Sequence, residues 1–502
     1  MPEAPGKRET DLTVHTEAGP VAGMALAGGV RVFRGIPFAA PPVGDMRWRP
    51  PAPPLPWRGT RQATEWGADC PQPAPPAGGP SSSRAGRQSE DCLHLNIWAP
   101  SAAEGERLPV LVWLFGGSFM VGSPSDILFD GEEFAKKGVI LITANYRVGV
   151  FGFLAHPALT AESPHRSSSN YALLDQLAAL RWIRDNIAGF GGDPKRVTLF
   201  GVSAGSASVS LLMTSPLAKD LFQQAILESP GAFRPLASLA EAEAYGLKLG
   251  NDVAALRRMP AEELLAKTPL FVPKMRGLTT PRVLRPIRDG WVIPRDERDA
   301  FAAGHYHPMP VIVGTNCDEG SVFVGAWPVT DIAAYRAFAA ENFGAAAAAA
   351  LQQYPAAADA EVLPRVAEMF ADTQFNYGAW ALSRTMARSG KGTWRYLFLK
   401  RRAAQSDGPH HGDEVPFVFG ASGPSRKGAA FDADDLLLSQ TMMKLWVQFA
   451  RTADPNGAGV TWPGYDASRD NYLGLDSPVR EGAGWRRDQM AFLDRFFDGK
   501  AG

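Results

Sequence analysis

The chain is predicted to be an α/β protein with a mostly parallel central sheet and helices on both faces. Three observations carry this expectation. Near-continuous apolar runs at 109–115 and 139–144 read as central strands covered on both sides. The best helical stripe, Leu173, Leu177, Leu180, Ile183 and Ile187, lies between such runs. From there the order is strand, helix, strand, helix, strand, which implies a parallel sheet with right-handed crossovers.

Bulk properties narrow the class. A 502-residue chain with 45% hydrophobic residues can bury a large core. Its 51 basic and 52 acidic residues leave a net charge of -1, which argues against nucleic acid or an anionic membrane as a bulk partner. No run of about 18 apolar residues is present, so no membrane span is expected. With 51 Gly and 42 Pro, long structured loops are expected. No composition break divides the chain, so residues 1–502 are read as one domain with helical insertions near 235–305 and 320–390.

Taken in order, Leu12–Thr16 and Val30–Arg34 read as short strands, followed by proline-stiffened chain to Trp48. Glu90–Trp98 alternates, with Leu93, Leu95 and Ile97 on one face. The 171–187 helix has Ser169 and Asn170 as cap candidates and Gly189 as its stop. Val197–Phe200 is a short buried strand, Ala204–Met213 a helix, and 222–227 the next strand. Residues 235–305 read as helical and charged. Then come a strand at 309–315, a mostly helical stretch at 331–390, a strand at 394–399 and a long amphipathic helix at 434–452. The Ala345–Ala350 run is simply good helix-forming sequence.

Chemistry enters at Gly201-Val202-Ser203-Ala204-Gly205, a G-x-S-x-G match between strand and helix. A serine on such a turn has a strained backbone, and its neighbours two before and two after must be small. The hydroxyl then stands in a cleft at the positive end of a helix. A nucleophilic serine needs an imidazole and an orienting carboxylate, which in α/β-hydrolases follow in the order Ser, acid, His. Of eight histidines, His305 and His307 precede the 309–315 strand at its wrong end. His410 and His411 follow the 394–399 strand, and either could be the base. Asp318 or Glu319, just past 309–315, could be the acid. Backbone N–H groups for an oxyanion hole are expected from Ala204 and from the Gly116-Gly117-Ser118 loop.

The chain resembles the type B carboxylesterases, the group that includes bacterial p-nitrobenzyl esterases and the cholinesterases. The matching pieces run nearly end to end: Phe33-Arg-Gly-Ile-Pro-Phe-Ala39, Glu90 to Trp98, Phe115 to Phe119, Asn145 to Phe153, Asn170 to Gln176, Phe190 to Pro194, Phe200 to Ser206, Gly314 to Gly320 and His411 to Phe417. The resemblance implies an α/β-hydrolase fold, Glu319 as the acid, His411 rather than His410 as the base, and Gly117, Ser118 and Ala204 as oxyanion donors. It also implies a disulfide between Cys70 and Cys92, which flank the Pro71–Ser89 loop. Such a bridge would contribute about 3 kcal/mol in the chain-entropy model. Spacing by itself fits three free thiols equally well. A bridge would favour a secreted or periplasmic mature form over a cytoplasmic protein. The first ten residues do not read as a signal peptide.

Two departures from the family pattern stand out. Val202 occupies a position where the family usually carries Glu, which disfavours a choline ester. Ser118 stands where a third Gly is usual, which predicts poor turnover of bulky tertiary-alcohol esters. Glu228-Ser-Pro-Gly231 together with Gly-Val-Ser-Ala-Gly205 is similar, more narrowly, to bacterial fumonisin esterases, which release tricarballylate from a mycotoxin. That substrate demands cationic groups near the acyl pocket, and Arg234 is a candidate.

The expected activity is hydrolysis of small or medium carboxylic esters through an acyl-enzyme, with a small-molecule ester as partner and no metal or organic cofactor. A non-catalytic adhesion protein on the same fold would lack the nucleophile, and this chain keeps it. An acyltransferase would differ only in using an alcohol in place of water.

Overall fold

The computed structural model describes residues 12–74, 82–100, 106–273, 275–402, 405, 407–420 and 430–499. The N-terminal segment read for a signal and the centre of the Pro71–Ser89 loop lie outside the described residues.

Eleven described strands form one sheet. They are β1 (Met24–Ala25), β2 (Arg31–Pro37), β3 (His94–Ala99), β4 (Leu108–Leu114), β5 (Ile140–Ala144), β6 (Gly192–Val202), β7 (Gln224–Glu228), β8 (Val311–Asn316), β9 (Thr393–Phe398), β10 (Asn471–Leu475) and β11 (Arg480–Ala483). Their spatial order is β11-β10-β9-β8-β7-β6-β4-β5-β3-β2-β1. From β10 to β5 every neighbouring pair is parallel, and the edges are antiparallel. This is the α/β-hydrolase fold expected from the sequence. A separate small sheet holds Thr13–Thr16, Gly19–Ala22 and Arg61–Gln62.

Burial explains the central strands. Every residue of β4, β5, β7, β8 and β9 is buried, because helices cover both faces. Strand β3 is covered likewise: Asn96 and Trp98 are buried as well as Leu95 and Ile97, so its alternation does not mark a wet face. Helix α1 (Tyr171–Asn186) buries its predicted stripe. Asn170 caps it with a left-handed backbone, φ +51, and turns its amide to the Ile287 backbone instead of the helix. Helix α2 (Ala204–Thr214) is buried throughout, and α3 (Ala433–Thr452) starts at an Asp432/Asp435 capping box.

The 235–305 segment is less helical than expected. Short helices occupy Leu239–Gly246, Val253–Arg258, Ala261–Ala266 and Glu297–Ala302, but 271–296 holds no regular helix or strand among its described residues. Pro273, Pro281, Pro286 and Pro294, with Gly277 and Gly290, break any helical run there. Residues 331–390 are helical as read, with a single π-turn at Asp372–Asn376.

Register fixes where the site forms. Leu114 of β4 pairs with Gly201 of β6, Val202 with Glu228 of β7, Glu228 with Gly314 of β8, and Asn316 with Phe398 of β9. The carboxyl ends of five adjacent parallel strands therefore lie side by side, and the loops leaving them build one cleft.

Candidate active site

Ser203 sits between β6 and α2 with φ +57 and ψ -117, outside the comfortable regions for an L-residue. Its N–H donates to the Glu228 carbonyl at 2.9 Å, and its own carbonyl accepts from Ala207 N–H at 2.8 Å. The small-neighbour rule has a direct cause. A Cβ on Gly201 would lie 2.5 Å from the Leu114 oxygen, and one on Gly205 would lie 2.0 Å from it.

Glu319 and His411 meet beside this turn. His411 Nδ1 lies 2.5 Å from Glu319 Oε2. Glu319 is fully buried, and its Oε1 accepts from Ser229 Oγ at 2.5 Å and from Asn316 N–H at 2.6 Å. The His411 ring stacks on Phe375 at 4.3 Å and lies 5.2 Å from Phe323. Its Nε2 is buried and engaged by no other group, and His411 and Ser203 both line a cavity of about 710 Å³.

The loops after β8 and β9 are tied together. Asn316 Nδ2 donates to the His410 carbonyl at 2.6 Å and to Glu414 Oε2 at 2.5 Å. Asp318 N–H donates to the Pro409 carbonyl at 3.1 Å, and Cys317 N–H to Phe398 at 3.1 Å. These bonds set which adjacent residue goes where. Asp318 accepts from Ser321 and lies 3.7 Å from His410, which Asp407 and Asp413 also flank. Glu319 and His411 are left to each other. His307 is elsewhere, its Nε2 on the Ser215 carbonyl at 2.8 Å.

Two further carboxylates lie behind the pair. Burial, then the charge of Glu319, pushes Glu414 up to about 7. Glu228 accepts from Trp446 Nε1 at 2.9 Å, and burial followed by Glu414 raises it well above the usual carboxylate range.

The oxyanion candidates flank Ser203. Gly117 has φ +120 and Ser118 φ +58, so Ser118 carries the backbone strain that a glycine would avoid. Ser118 and Ala204 share a recess with Ser203, and no described group accepts a hydrogen bond from the Gly117, Ser118 or Ala204 N–H.

Arg234 is half-buried and not free on the surface. It lines the recess on the other side of Ser203, with Nε on the Gly231 carbonyl at 3.0 Å and Nη1 on Gln374 Oε1 at 2.6 Å. Three residues that the sequence did not single out join it there: Arg276, Arg282 and Arg285, all from the irregular 271–296 segment. Ser229, Phe323, Phe375 and Gln374 were also missed. Gln374 and Phe375 belong to the π-turn, a feature often found at functional sites but invisible in composition.

Cys70 and Cys92, the residues expected to form a disulfide, are brought together. Both are buried and stand as free thiols. A hydrogen bond to Cys70, and then burial, raises the Cys92 thiol well above its ordinary range. The Cys70 sulfur also accepts from Val148 N–H at 3.4 Å.

No helix among the described residues is long and apolar enough to cross a membrane. The Carboxylesterase family profile matches residues 10–493. The chain is 46% identical over 495 residues to the Fumonisin B1 esterase of Sphingopyxis macrogoltabida, covering 96% of this chain and 90% of that protein. It is 36% identical over 486 residues to the Para-nitrobenzyl esterase of Bacillus subtilis (strain 168), covering 94% and 96%. A solved PNB esterase structure superposes with a TM-score of 0.85 at 33% identity, over 96% of this chain and 99% of that one. A profile match across nearly the whole chain, agreeing with these relatives and with the fold, establishes that the protein is a carboxylic ester hydrolase belonging to the carboxylesterase family.

Proposed function

We propose that Ser203, His411 and Glu319 form the catalytic triad and that Gly117, Ser118 and Ala204 form the oxyanion hole. The observation that carries this reading is the His411 imidazole, held on Glu319 at Nδ1 with its Nε2 unengaged, in a residue that lines the same cavity as Ser203. Ser203 Oγ attacks the ester carbonyl carbon while His411 Nε2 takes its proton. The tetrahedral oxyanion accepts from the three backbone N–H groups. His411 then protonates the leaving alcohol, and an acyl-Ser203 ester remains. Water attacks the acyl-enzyme by the same route, releasing the acid and restoring Ser203. Glu319 orients the His411 ring and stabilises the imidazolium. The whole chain acts as one catalytic domain, with the insertions near 235–305 and 320–390 building the substrate walls.

For the substrate, we propose tricarballylate esters of fumonisin, with Arg234 on the acyl side. The relative whose name specifies Fumonisin B1, and the position of Arg234 beside Ser203, support this. A secreted or periplasmic location is proposed, and the contact between Cys70 and Cys92 supports it, because a bridge there would need an oxidising compartment.

The test compares hydrolysis of p-nitrophenyl esters from acetate to octanoate, and of fumonisin B1, by wild type and Ser203→Ala. Turnover lost in the variant supports the nucleophile. Turnover persisting in Ser203→Ala rejects it. Fumonisin B1 left intact by a wild type that cleaves simple esters rejects the substrate assignment alone.

A further inference from the structure

Four guanidinium groups gather around one recess beside Ser203: Arg234, Arg276, Arg282 and Arg285. Elsewhere the deep arginines of this protein are matched to carboxylates. Arg147 holds Asp175 at 2.7 Å, Arg395 holds Asp470 at 2.6 Å, and Arg257 holds Glu162 at 2.9 Å. None of the four in the recess has an ion pair among the described residues. Arg234 and Arg282 both donate to a single neutral acceptor, Gln374 Oε1. Arg285 reaches the Ser118 carbonyl at 3.4 Å and lies 5.8 Å over the Phe119 ring.

One carboxylate is near, and it is already engaged. Glu297 accepts from Ser210 Oγ and from Phe233 N–H at 2.7 Å, and burial pushes it up to about 7. Burial, then the neighbouring guanidiniums, holds Arg282 and Arg285 well below the usual guanidinium range. Half-buried like charges gathered without counter-ions repel one another and disfavour the charged forms. A site with this composition gains when an anion enters, and guanidiniums suit carboxylates because they donate two parallel bonds.

We propose that this recess is a receptor for the acyl half of the substrate, selecting acyl groups that carry free carboxylates, so that half-esters of di- and tricarboxylic acids are preferred whatever their alcohol. This rests on the reading of Ser203 as nucleophile and extends it: the selection lies in acyl charge, and it is divided among Arg276, Arg282 and Arg285 as well as Arg234. The recess holds only about 20 Å³ of free space with the four arginines lining it. The acyl group therefore enters as the arginine side chains swing from Gln374 onto its carboxylates. A tricarballyl group bound through one ester keeps two carboxylates, both ionised at neutral pH, enough to engage the four guanidiniums pairwise.

The experiment measures kcat/KM by pH-stat for three ethyl esters of rising acyl charge: ethyl pentanoate, monoethyl glutarate and monoethyl tricarballylate. Wild type is expected to gain about 10-fold per carboxylate, the ordinary value of a charge-assisted hydrogen bond. The double variant Arg282→Gln/Arg285→Gln is expected to flatten the series by at least 10-fold. The exposed Arg336→Gln keeps it. A wild-type series that is flat or falls with charge overturns the proposal while leaving the esterase reading intact. Binding of tricarballylate itself to Ser203→Ala, by calorimetry, tests the recess without turnover. Saturable binding that weakens at least 10-fold when the two glutamines are added supports the receptor. No binding at 10 mM tricarballylate overturns it, even if the nucleophile assignment has failed on its own.

Discussion

Gly205→Ala adds one methyl group at the point where the nucleophile turn presses on the strand beside it. The new Cβ would lie 2.0 Å from the Leu114 oxygen, 2.6 Å from its carbon and 2.7 Å from the Phe115 oxygen. All three are backbone atoms, so no side chain can rotate away. The end of β4 has to retreat by on the order of an ångström to restore contact distance. Overpacking of this kind costs about 1–3 kcal/mol of stability. The larger effect is on rate. Phe115 leads directly into Gly116-Gly117-Ser118, and oxyanion donors work only within about 0.4 Å of range. A displacement near 1 Å costs about 100-fold. Initial rates on p-nitrophenyl acetate, with a thermal melt of the same sample, should show kcat/KM down about 100-fold to 1000-fold and a melting point down by a few degrees. Gly28→Ala is the comparator. Its φ is also positive, +74, but a Cβ there meets nothing within 4 Å, so it should cost about 1 kcal/mol and no rate. If Gly205→Ala keeps its rate within about threefold (about 0.7 kcal/mol), the link between this contact and the oxyanion loop is wrong.

Other consequences can be measured on the same preparation. Glu319→Gln keeps the shape of the acid but removes the charge behind His411, and kcat should fall about 10³-fold to 10⁴-fold. Ser229→Ala removes the 2.5 Å bond to Glu319 and should lower kcat about 10-fold, the ordinary value of a bond to a charged group. Ser118→Gly removes the strain at φ +58 and should raise the turnover of tert-butyl acetate, measured by gas chromatography of the released alcohol. Glu414, raised in the folded state to about 7, binds a proton there that the unfolded chain has lost. Its burial therefore costs little below pH 4.5, progressively more between pH 4.5 and 7, and levels off above that. Glu414→Gln should gain stability relative to wild type between pH 5 and pH 8, by roughly 3 kcal/mol at the top of that window, read from melts at each pH, and a constant difference across it would show the carboxyl to be unperturbed.

Much of this was readable in the sequence, for identifiable reasons. Strands β4 and β5 are buried on both faces, so their residues are apolar apart from Thr143. The nucleophile turn is readable because sterics at 201 and 205 admit only small side chains. Strands β10 and β11 escaped notice because they are short and lie at one end of the sheet, and Arg480–Ala483 is mostly exposed. His410 and His411 could not be separated on spacing, since successive residues of a loop point in unrelated directions. The bonds from Asn316 decide between them, and they join segments about 95 residues apart in the chain. The arginines were hidden for a similar reason. Arg276, Arg282 and Arg285 look like ordinary loop charges until the proline-rich segment is threaded past Ser203.

The bond from Ser203 N–H to the Glu228 carbonyl has a consequence for biosynthesis. The strained turn is held by a strand that follows it, and the imidazole arrives from about two hundred residues later still. During translation at roughly 5–20 residues per second, the serine leaves the ribosome many seconds before His411 does. The nascent chain therefore carries an unactivated alcohol until β9 docks, and a product cut short before that strand should fail to hydrolyse esters even if its first strands have assembled.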